Sequence, residues 1–303
     1  MNLLSNIERQ EIRSLQPGQK ITLFRAINQL KQNGTYDKFV NWHGLAMMTK
    51  AGTELFGSIR NLAHYSPVFL PWHREYLIRF ENALREIDTS ISLPYWDWTI
   101  DAELQDPSTS IIWTEDILGG RNPTQNGLVT DGPFKNWKFS LNIPGYPREA
   151  YLRRDFDNTI QLPFRRDVEL VINNNELEYD KSPWDGNQDY NSFRIILERP
   201  IHNPVHNWVG GTMEEAYSPG DPVFFLHHCN IDRIWANWQR KHNYLDRYPA
   251  NDKIRDRRGR IIPFTNRNHK MSPWNDINDN THKRVQQVLD FTQYYQYKEY
   301  YVS

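Results

Sequence analysis

The distribution of the histidines restricts the fold of this chain more than any other feature of its sequence. Ten histidines occur in 303 residues, and most of them fall into two segments, at about 19–87 and about 191–242, that also carry helical patterns. These segments contain His242 at the end of the second and seven further histidines, namely His43, His64, His73, His202, His206, His227 and His228. If the two segments converge, their imidazoles can meet in one core.

Both segments are predicted to be helical. In the first, apolar residues recur at helical spacing from about residue 19 to an Asn33-Gly34 stop. A second helix is predicted over about 36–50, and a third begins near residue 71 and runs through residue 84. The first histidine segment is therefore expected to supply three helices.

The second segment is predicted to contain three further helices. A short helix is expected to end before Pro200, because proline disfavours a continuing helix, and another spans about 201–208. Asp221-Pro222 is typical of a helix start, with Asp at the cap and Pro at the first helical position. That helix carries His228 and a row of apolar and aromatic residues.

The rest of the chain is expected to be mostly irregular. Residues 99–190 are rich in Asp, Asn, Gly and Pro, and we predict long loops there, with one helix near 165–172 and short strands. The chain after His242 is again expected to be loop-like until about residue 281. The Tyr-rich tail at 293–302 is predicted to be a strand or an extended cover.

The spacing of the histidines predicts two metal sites with three imidazoles each. His202 and His206 lie four residues apart on one helix face, with Cβ atoms about 5–6 Å apart, and His228 can join them from the next helix. His43, His64 and His73 can converge in the same way from the first segment. Imidazole suits copper, zinc, iron or nickel, and a site without carboxylates favours copper or zinc. Spacing alone does not choose between these two metals.

The overall composition excludes several classes of protein. The formal charge of −1 gives no sign of a nucleic-acid-binding face, and the basic run at 253–260 is interpreted as a solvated turn. The one cysteine, Cys229, excludes an intrachain disulfide and is interpreted as a small buried helix residue. No stretch predicts a secretory signal or a membrane span, so we expect a soluble protein that is cytoplasmic or released without a classical signal peptide.

Five motifs resemble those of tyrosinases, catechol oxidases and molluscan haemocyanins. The longest are HYSPVFLPWHREYL at 64–77 and DPVFFLHHCNID at 221–232. The paired-histidine element HNPVHNWVGG at 202–211 lies between them, and WHG at 42–44 and LPYWDW at 93–98 also match. The similarity covers roughly residues 10–300 and is greatest to the compact bacterial tyrosinases.

The resemblance implies a fold, a cofactor and an activity. It implies a mainly α domain, residues 1–303, in which a central four-helix bundle holds two copper ions and is wrapped by long loops and minor β structure. One copper would bind His43, His64 and His73, and the other His202, His206 and His228. The substrates would be a tyrosine-like phenol and O2. A homodimer is compatible with the sequence, which does not fix the oligomeric state.

The resemblance also implies roles for residues beyond the ligands. Glu198 and Asn203 would orient a water that takes the proton of a monophenol, although Glu198 could instead pair with Arg194 or Arg199. His227 would be a packing residue next to the centre, and His242, His269 and His282 match no ligand position. The substrate pocket is predicted to involve Asn207, Phe224, Phe69 and Ala216.

Three acidic residues are candidates for fixing the imidazole rings, namely Glu81, Asp97 and Asp232. Each could instead pair with Arg74 or Arg233 and tie helices together. Near the expected pocket mouth, Glu214 and Glu215 could disfavour acidic phenols and suit amines.

Three other functions compete with that of a tyrosinase. The first is a catechol oxidase or o-aminophenol oxidase with weak hydroxylase activity, against which Glu198 and Asn203 argue. The second is an O2 carrier like one haemocyanin unit, which would carry an added shielding domain for which the chain after Tyr301 leaves little room. The third is a structural zinc protein.

Overall fold

The computed structural model describes residues 7–48, 61–180, 192–249, 266–271, 273 and 283–302. In chain order the α-helical and π-helical elements are α1 (Pro17–Gln32), α2 (Thr35–Met48), α3 (Phe69–Ile87), α4 (Trp98–Asp101), α5 (Arg165–Asn173), α6 (Phe193–Ile196), a π-helical turn (Leu197–His202), α7 (Asn203–Val209) and α8 (Val223–Lys241). A bundle of α2, α3, the α6–α7 segment and α8 forms the centre of this architecture. The predicted mainly α fold with a four-helix bundle is confirmed.

The ends of α1 follow from its sequence. Pro17 occupies the first helical turn, and the side chain of Gln19 accepts a hydrogen bond from the backbone N–H of Gln16 at 2.8 Å. At the other end, Gly34 adopts a φ of +79°, a left-handed conformation that glycine reaches without a Cβ clash. The stop predicted at Asn33-Gly34 is therefore confirmed, and the chain reverses into α2.

Aromatic rings hold α2, α3 and α8 together. Phe225 of α8 stacks on Phe80 and Tyr76 of α3, with ring centroids 3.6 and 5.5 Å apart. Phe39 of α2 meets Tyr76 and Phe80 edge-on at 5.4 and 5.2 Å, and Tyr36 meets Phe225 at 5.8 Å. Such aromatic pairs add stability beyond the area they bury. This packing fixes the three helices from which His43, His73 and His228 project.

The prediction that a helix ends before Pro200 is wrong. The chain continues from α6 through a π-helical turn into α7 with Pro200 inside it. The N–H of Asn203 bonds to the carbonyl of Glu198, five residues back, so the turn is wider than an α-helical one. The widened turn accommodates the proline ring, which would clash with the preceding turn of a regular helix. His202 lies at the end of this widened turn.

Helix α8 begins one residue later than predicted. Its first residue is Val223, whose N–H donates to Oδ1 of Asp221 at 3.0 Å, so Asp221 still acts as a cap. Asp221 also forms a bidentate ion pair with Arg154 at 2.7 and 2.9 Å, and both side chains are fully buried. The start of α8 is thus tied to the loop region that precedes the second histidine segment.

The remaining described residues form loops with short regular pieces. Helix α5 and two antiparallel strands, β2 (Lys138–Ser140) and β3 (Glu149–Tyr151), lie in the predicted loop region. In the tail, β4 (Gln296–Tyr297) pairs in parallel with β1 (Glu8–Arg9), as expected for a strand. None of the helices in the described ranges combines the length and apolar character needed to cross a membrane. The basic run at 253–260 and most of the predicted loop up to 281 lie outside the described residues.

Candidate metal centre

Three buried imidazoles meet on one side of the bundle. His43 projects from α2 and His73 from α3, and His64 lies on the segment that leads into α3. Their candidate ligand nitrogens all lie within 4.8 Å of one another, and none of the three side chains is more than 6 % exposed. The first predicted trio is brought together in the structure.

The second trio is more tightly grouped. His202 ends the π-helical turn, His206 follows one turn later on α7, and His228 reaches them from α8. The Nε2 atom of His228 lies 3.2 Å from the Nε2 atoms of both His202 and His206. The structure therefore also brings together the second predicted trio.

The Nδ1 atoms of the ligand candidates are oriented mainly by backbone carbonyls. Three of them lie within 2.8 Å of a main-chain oxygen: His43 from Ala216 at 2.8 Å, His73 from Phe69 at 2.8 Å and His206 from Met213 at 2.7 Å, and His202 lies 3.2 Å from the carbonyl oxygen of Glu198. A carbonyl can only accept, so each of these Nδ1 atoms carries the proton. The lone pair of each neutral ring is then on Nε2, the atom that faces the centre of the trio.

Side-chain amides orient two further rings. Asn203 Oδ1 lies 2.8 Å from Nδ1 of the adjacent His202. Asn61 Oδ1 lies 3.2 Å from Nδ1 of His64 and also accepts the backbone N–H of that residue at 2.8 Å. The sequence analysis did not identify Asn61. The signal that could have found it is an Asn three residues before a ligand, where its side chain can organise the turn.

Burial keeps these imidazoles neutral, which is the form that binds a metal. It lowers the pKa of His43 to about 3 and that of His206 to about 4, and it lowers the pKa of the other four well below the usual value. The lone pairs of neighbouring Nε2 atoms then point at one another, which is unfavourable unless a cation lies between them. Two nitrogens bound tetrahedrally at about 2.0 Å lie about 3.3 Å apart, close to the spacing in the second trio. The donor set fits copper or zinc.

The two trios face each other directly. His73 of the first trio stacks on His228 of the second, with ring centroids 4.2 Å apart and planes inclined by 12°. His64 lies opposite His202 with centroids 6.3 Å apart. The two trios are therefore adjacent, and metal ions bound by them would lie close to each other.

Glu198 connects the segments that carry the two trios. Its Oε1 accepts the backbone N–H of Tyr65 at 2.6 Å, and its Oε2 accepts from Nη1 of Arg194 at 2.8 Å. Burial raises the pKa of Glu198, and the Arg194 guanidinium and the Tyr65 N–H oppose that shift. The ion pair with Arg194, considered as the structural alternative for Glu198, is present. Arg194 also holds Asp180, with nitrogens 2.7 and 2.9 Å from its Oδ2.

A pocket opens from the centre to the surface. Its lining includes residues of both trios and, around the mouth, Met47, Tyr65, Asn203, Asn207, Met213, Glu214, Glu215 and Ser218. Asn207 therefore lies on the wall of this pocket. The ring of Tyr65 is half-exposed at the mouth, on a backbone with a φ of +58°.

The other three predicted pocket residues lie behind the histidines. Phe224 packs on His43 and His228 with centroids 5.0 and 4.1 Å apart, and Phe69 packs on His202 at 5.0 Å. Both phenylalanines are fully buried. Ala216 acts through its carbonyl, which orients His43. These residues shape the pocket by fixing the imidazoles.

The predicted acidic partners of the imidazoles form ion pairs with arginines instead. Asp232 accepts from Arg74 at 2.6 Å, and Glu81 accepts from Arg9 at 2.8 Å. Asp97 accepts from Arg233 at 3.0 Å. Of the two alternatives that the sequence left open, the structure shows the arginine pairs, although Glu81 pairs with Arg9 and not with Arg74 or Arg233. The buried guanidinium groups need compensating charge and lie within reach of these carboxylates.

Hydrogen bonds also fix the C-terminal tail and His242, which lie away from the two trios. The Tyr297 hydroxyl donates to Asp232 at 2.6 Å, which anchors the tail on the bundle. His242 lies away from the centre with its Nε2 2.8 Å from the carbonyl of Ile172, and His282 lies outside the described residues. Cys229 is fully buried on α8, as expected.

Fold and site together define a helical-bundle protein with two adjacent groups of buried histidines, each of which could hold a metal ion. Residues 33–241 match the sequence model of the common central domain of tyrosinase. The chain is 37 % identical to the tyrosinase of Streptomyces glaucescens over 93 % of this chain and 95 % of that protein. The chain therefore belongs to the tyrosinase family of copper-dependent phenol oxidases.

Solved structures share the same fold at lower sequence identity. A polyphenol oxidase variant from Thermothelomyces thermophila aligns with a TM-score of 0.69 and 21 % identity, covering 97 % of this chain and 89 % of that one. A functional unit of octopus hemocyanin aligns with a TM-score of 0.65 and 23 % identity, covering 97 % of this chain and 68 % of that one. This chain therefore shares its fold with a polyphenol oxidase and with a hemocyanin unit.

Proposed function

We propose that this chain hydroxylates monophenols at the ortho position and oxidises o-diphenols to o-quinones, with O2 as co-substrate. The two facing imidazole trios at the base of one open pocket carry this proposal. His43, His64 and His73 would hold one copper ion, and His202, His206 and His228 the other. Residues 1–303 would form a single copper-binding domain.

The copper pair, when bound, would supply the activation of O2 and the oxidation of the phenol. The protein residues position the reactants and handle protons. Six neutral imidazoles would hold the metals without adding negative charge. The histidines line one end of the pocket, and Asn207 and Tyr65 on its wall would contact the phenol ring.

Monophenol hydroxylation requires a proton acceptor. A phenol has a pKa of about 10, so its hydroxyl is protonated at neutral pH and must be deprotonated before it can bind a metal strongly. In this proposal a water bound between Glu198 and Asn203 takes the proton, with the Glu198 carboxylate as its final acceptor. The raised pKa of Glu198 supports this role, because a carboxylate closer to neutrality is a stronger base.

The charges around the mouth bear on the choice of phenol. Glu214 and Glu215 are the charged members of the pocket lining, and neither has an ion-pair partner among the described residues. Two carboxylates at the mouth would attract an ammonium group and repel a carboxylate. The proposed substrates are therefore phenols whose side chain carries an amine.

One observation favours a catechol oxidase or o-aminophenol oxidase as a second candidate. Both carboxylate oxygens of Glu198 accept hydrogen bonds within the protein, and its side chain is buried. A fully engaged Glu198 would be a poor proton acceptor, which would restrict the enzyme to diphenols. However, each carboxylate oxygen accepts up to two hydrogen bonds, so a water can still bind there.

A single sequence of measurements tests the proposal. The metal-free protein is loaded with two equivalents of Cu(I) without oxygen, O2 is added while near-ultraviolet absorption is followed, and tyrosine is then supplied. We expect a new near-ultraviolet band on O2 addition, followed by O2 uptake and quinone formation from tyrosine. Quinone from a catechol but none from tyrosine would favour the second candidate. Reversible O2 binding without turnover of either phenol would indicate an O2 carrier.

A further inference from the structure

A seventh histidine lies at the centre and qualifies by position as a metal ligand. His227 precedes His228 on α8 and is fully buried. One of its ring nitrogens lies within 4.8 Å of ring nitrogens of His202, His206 and His228. Its ring stacks on that of His202, with centroids 5.1 Å apart and planes inclined by 25°. His227 therefore meets the same 4.8 Å limit and is at least as buried as the three histidines of the second trio, although the 3.2 Å contacts are seen only within that trio.

A hydrogen bond from Trp98 distinguishes His227 from the three histidines of the second trio. The indole Nε1–H of Trp98 donates to Nδ1 of His227 at 3.1 Å. An indole nitrogen can only donate, so Nδ1 of His227 must carry the lone pair, and the proton of the neutral ring is on Nε2. A protonated Nε2 has no lone pair to give to a metal. His43, His73 and His206 have the opposite arrangement, because their Nδ1 atoms face carbonyl oxygens.

The Trp98 contact is what holds His227 in this tautomer. The Nε2 atom of His227 has no hydrogen-bond partner among the described residues, so no acceptor on that side of the ring helps to fix the proton. The indole of Trp98 is itself fully buried at the first position of α4, where Asp97 caps the helix. Without the indole N–H, the His227 proton could move to Nδ1 and its Nε2 could bind the metal.

We propose that Trp98 is a positioning residue that excludes His227 from coordination and so limits the second metal to three imidazoles. The inference rests on the proposed function, since it concerns the copper of the second trio. A fourth imidazole would occupy a coordination position that the reaction needs for its substrates. Trp98 thus keeps that position available although it touches neither the metal ligands' nitrogens nor the pocket.

Four proteins test the inference through copper retention: the wild type, Trp98→Phe, His227→Asn and the double variant. Each is loaded with copper, its copper content is measured, and the rate of copper loss to a chelator is followed. His227→Asn keeps an oxygen that can accept from Trp98 but lacks a nitrogen at the Nε2 position. We expect it to hold two coppers as the wild type does. Trp98→Phe should lose the copper of the second trio on the order of tenfold more slowly, because residues that contact a metal ligand typically change metal affinity by at least about that factor.

The double variant shows whether His227 causes the slower copper loss of Trp98→Phe. If it does, the rate of copper loss should return to that of the wild type when both residues are changed. Equal retention in Trp98→Phe and the double variant, or loss of one copper in His227→Asn, would overturn the inference. If circular dichroism shows that Trp98→Phe does not fold, His227→Asn decides. Binding of two coppers that are lost at the wild-type rate supports the inference, and binding of one copper overturns it. A wild type that binds fewer than two coppers would instead contradict the proposed function.

Discussion

Replacing Glu198 with Gln separates the chemical role of this residue from its structural one. A Gln side chain keeps an oxygen for the backbone N–H of Tyr65, which Glu198 accepts at 2.6 Å. It removes the negative charge that pairs with Arg194 at 2.8 Å and the ability to accept a proton at neutral pH. We expect the variant to keep its fold and its copper and to lose monophenol hydroxylation selectively.

The cost in stability should be modest, because Arg194 keeps a second carboxylate. Removing the sole partner of a buried charge costs about 3–5 kcal/mol. Arg194 also binds Asp180 through nitrogens at 2.7 and 2.9 Å, so its charge stays compensated in the variant. The loss is then that of a hydrogen bond to a charged group, about 1.5–3 kcal/mol. Removal of a positioned base lowers a rate by about 10²–10⁴-fold, which is the expected fall in kcat for a monophenol.

The assay is O2 uptake with a monophenol and with the matching catechol, corrected for the lag phase. Oxidation of the catechol should change far less than hydroxylation, because it does not depend on the same base. Asp180→Asn is the matched control, since it also removes one carboxylate from Arg194 but lies outside the pocket lining. It should lower stability similarly and leave the ratio of the two activities unchanged. An equal fall of both activities in Glu198→Gln, or the same selective loss in Asp180→Asn, would refute the proton-acceptor role.

Three further predictions address the metal, the mouth of the pocket and the buried ion pair. Changing His228 to Ala should reduce the copper content from two ions to one and abolish phenol oxidation, as atomic absorption and O2 uptake would show. Changing both Glu214 and Glu215 to Gln should raise KM for tyramine by about two- to fivefold, the effect of an exposed charge, and should not raise KM for a phenol with an acidic side chain. Unchanged KM values for both phenols would contradict a role of Glu214 and Glu215 in selecting the substrate. Asp221→Asn leaves the fully buried Arg154 without its carboxylate partner and should destabilise the metal-free protein by about 3–5 kcal/mol in urea unfolding, whereas an effect below about 1 kcal/mol would show that the pair is dispensable.

The grouping of the histidines into two trios could be predicted because their positions follow from local geometry and family motifs. His202 and His206 share a helix face whatever the rest of the chain does. The hydrogen-bond partners of the His43 and His206 rings could not be predicted. Ala216 and Met213 act through backbone carbonyls, which every residue has, so no side-chain pattern marks them. Only the path of the chain after α7 brings these oxygens to the imidazoles.

The acidic residues near the centre show a different limit of sequence analysis. Asp232 has Arg74 and Arg9 within reach, and the sequence left the choice between an arginine and an imidazole open. The structure resolves that choice by burial, because a guanidinium removed from water needs a carboxylate far more than a neutral imidazole does. A buried carboxylate in such a bundle is therefore better assigned to arginine first and to a ligand only when no arginine is near.

Two irregular stretches of backbone near the centre meet at Glu198. One is the π-helical turn at 197–202, which contains Glu198 itself, and the other is Tyr65, with its φ of +58°. The Tyr65 N–H that this left-handed conformation turns toward the bundle is accepted by Glu198 Oε1, so the carboxylate stabilises a backbone that a tyrosine rarely adopts. Because His64 and His202 flank these two points, the same bond sets one trio relative to the other. The structural and chemical interpretations of Glu198 are therefore compatible: the contacts that join the two histidine trios also hold the carboxylate where the proposed reaction would need a proton acceptor.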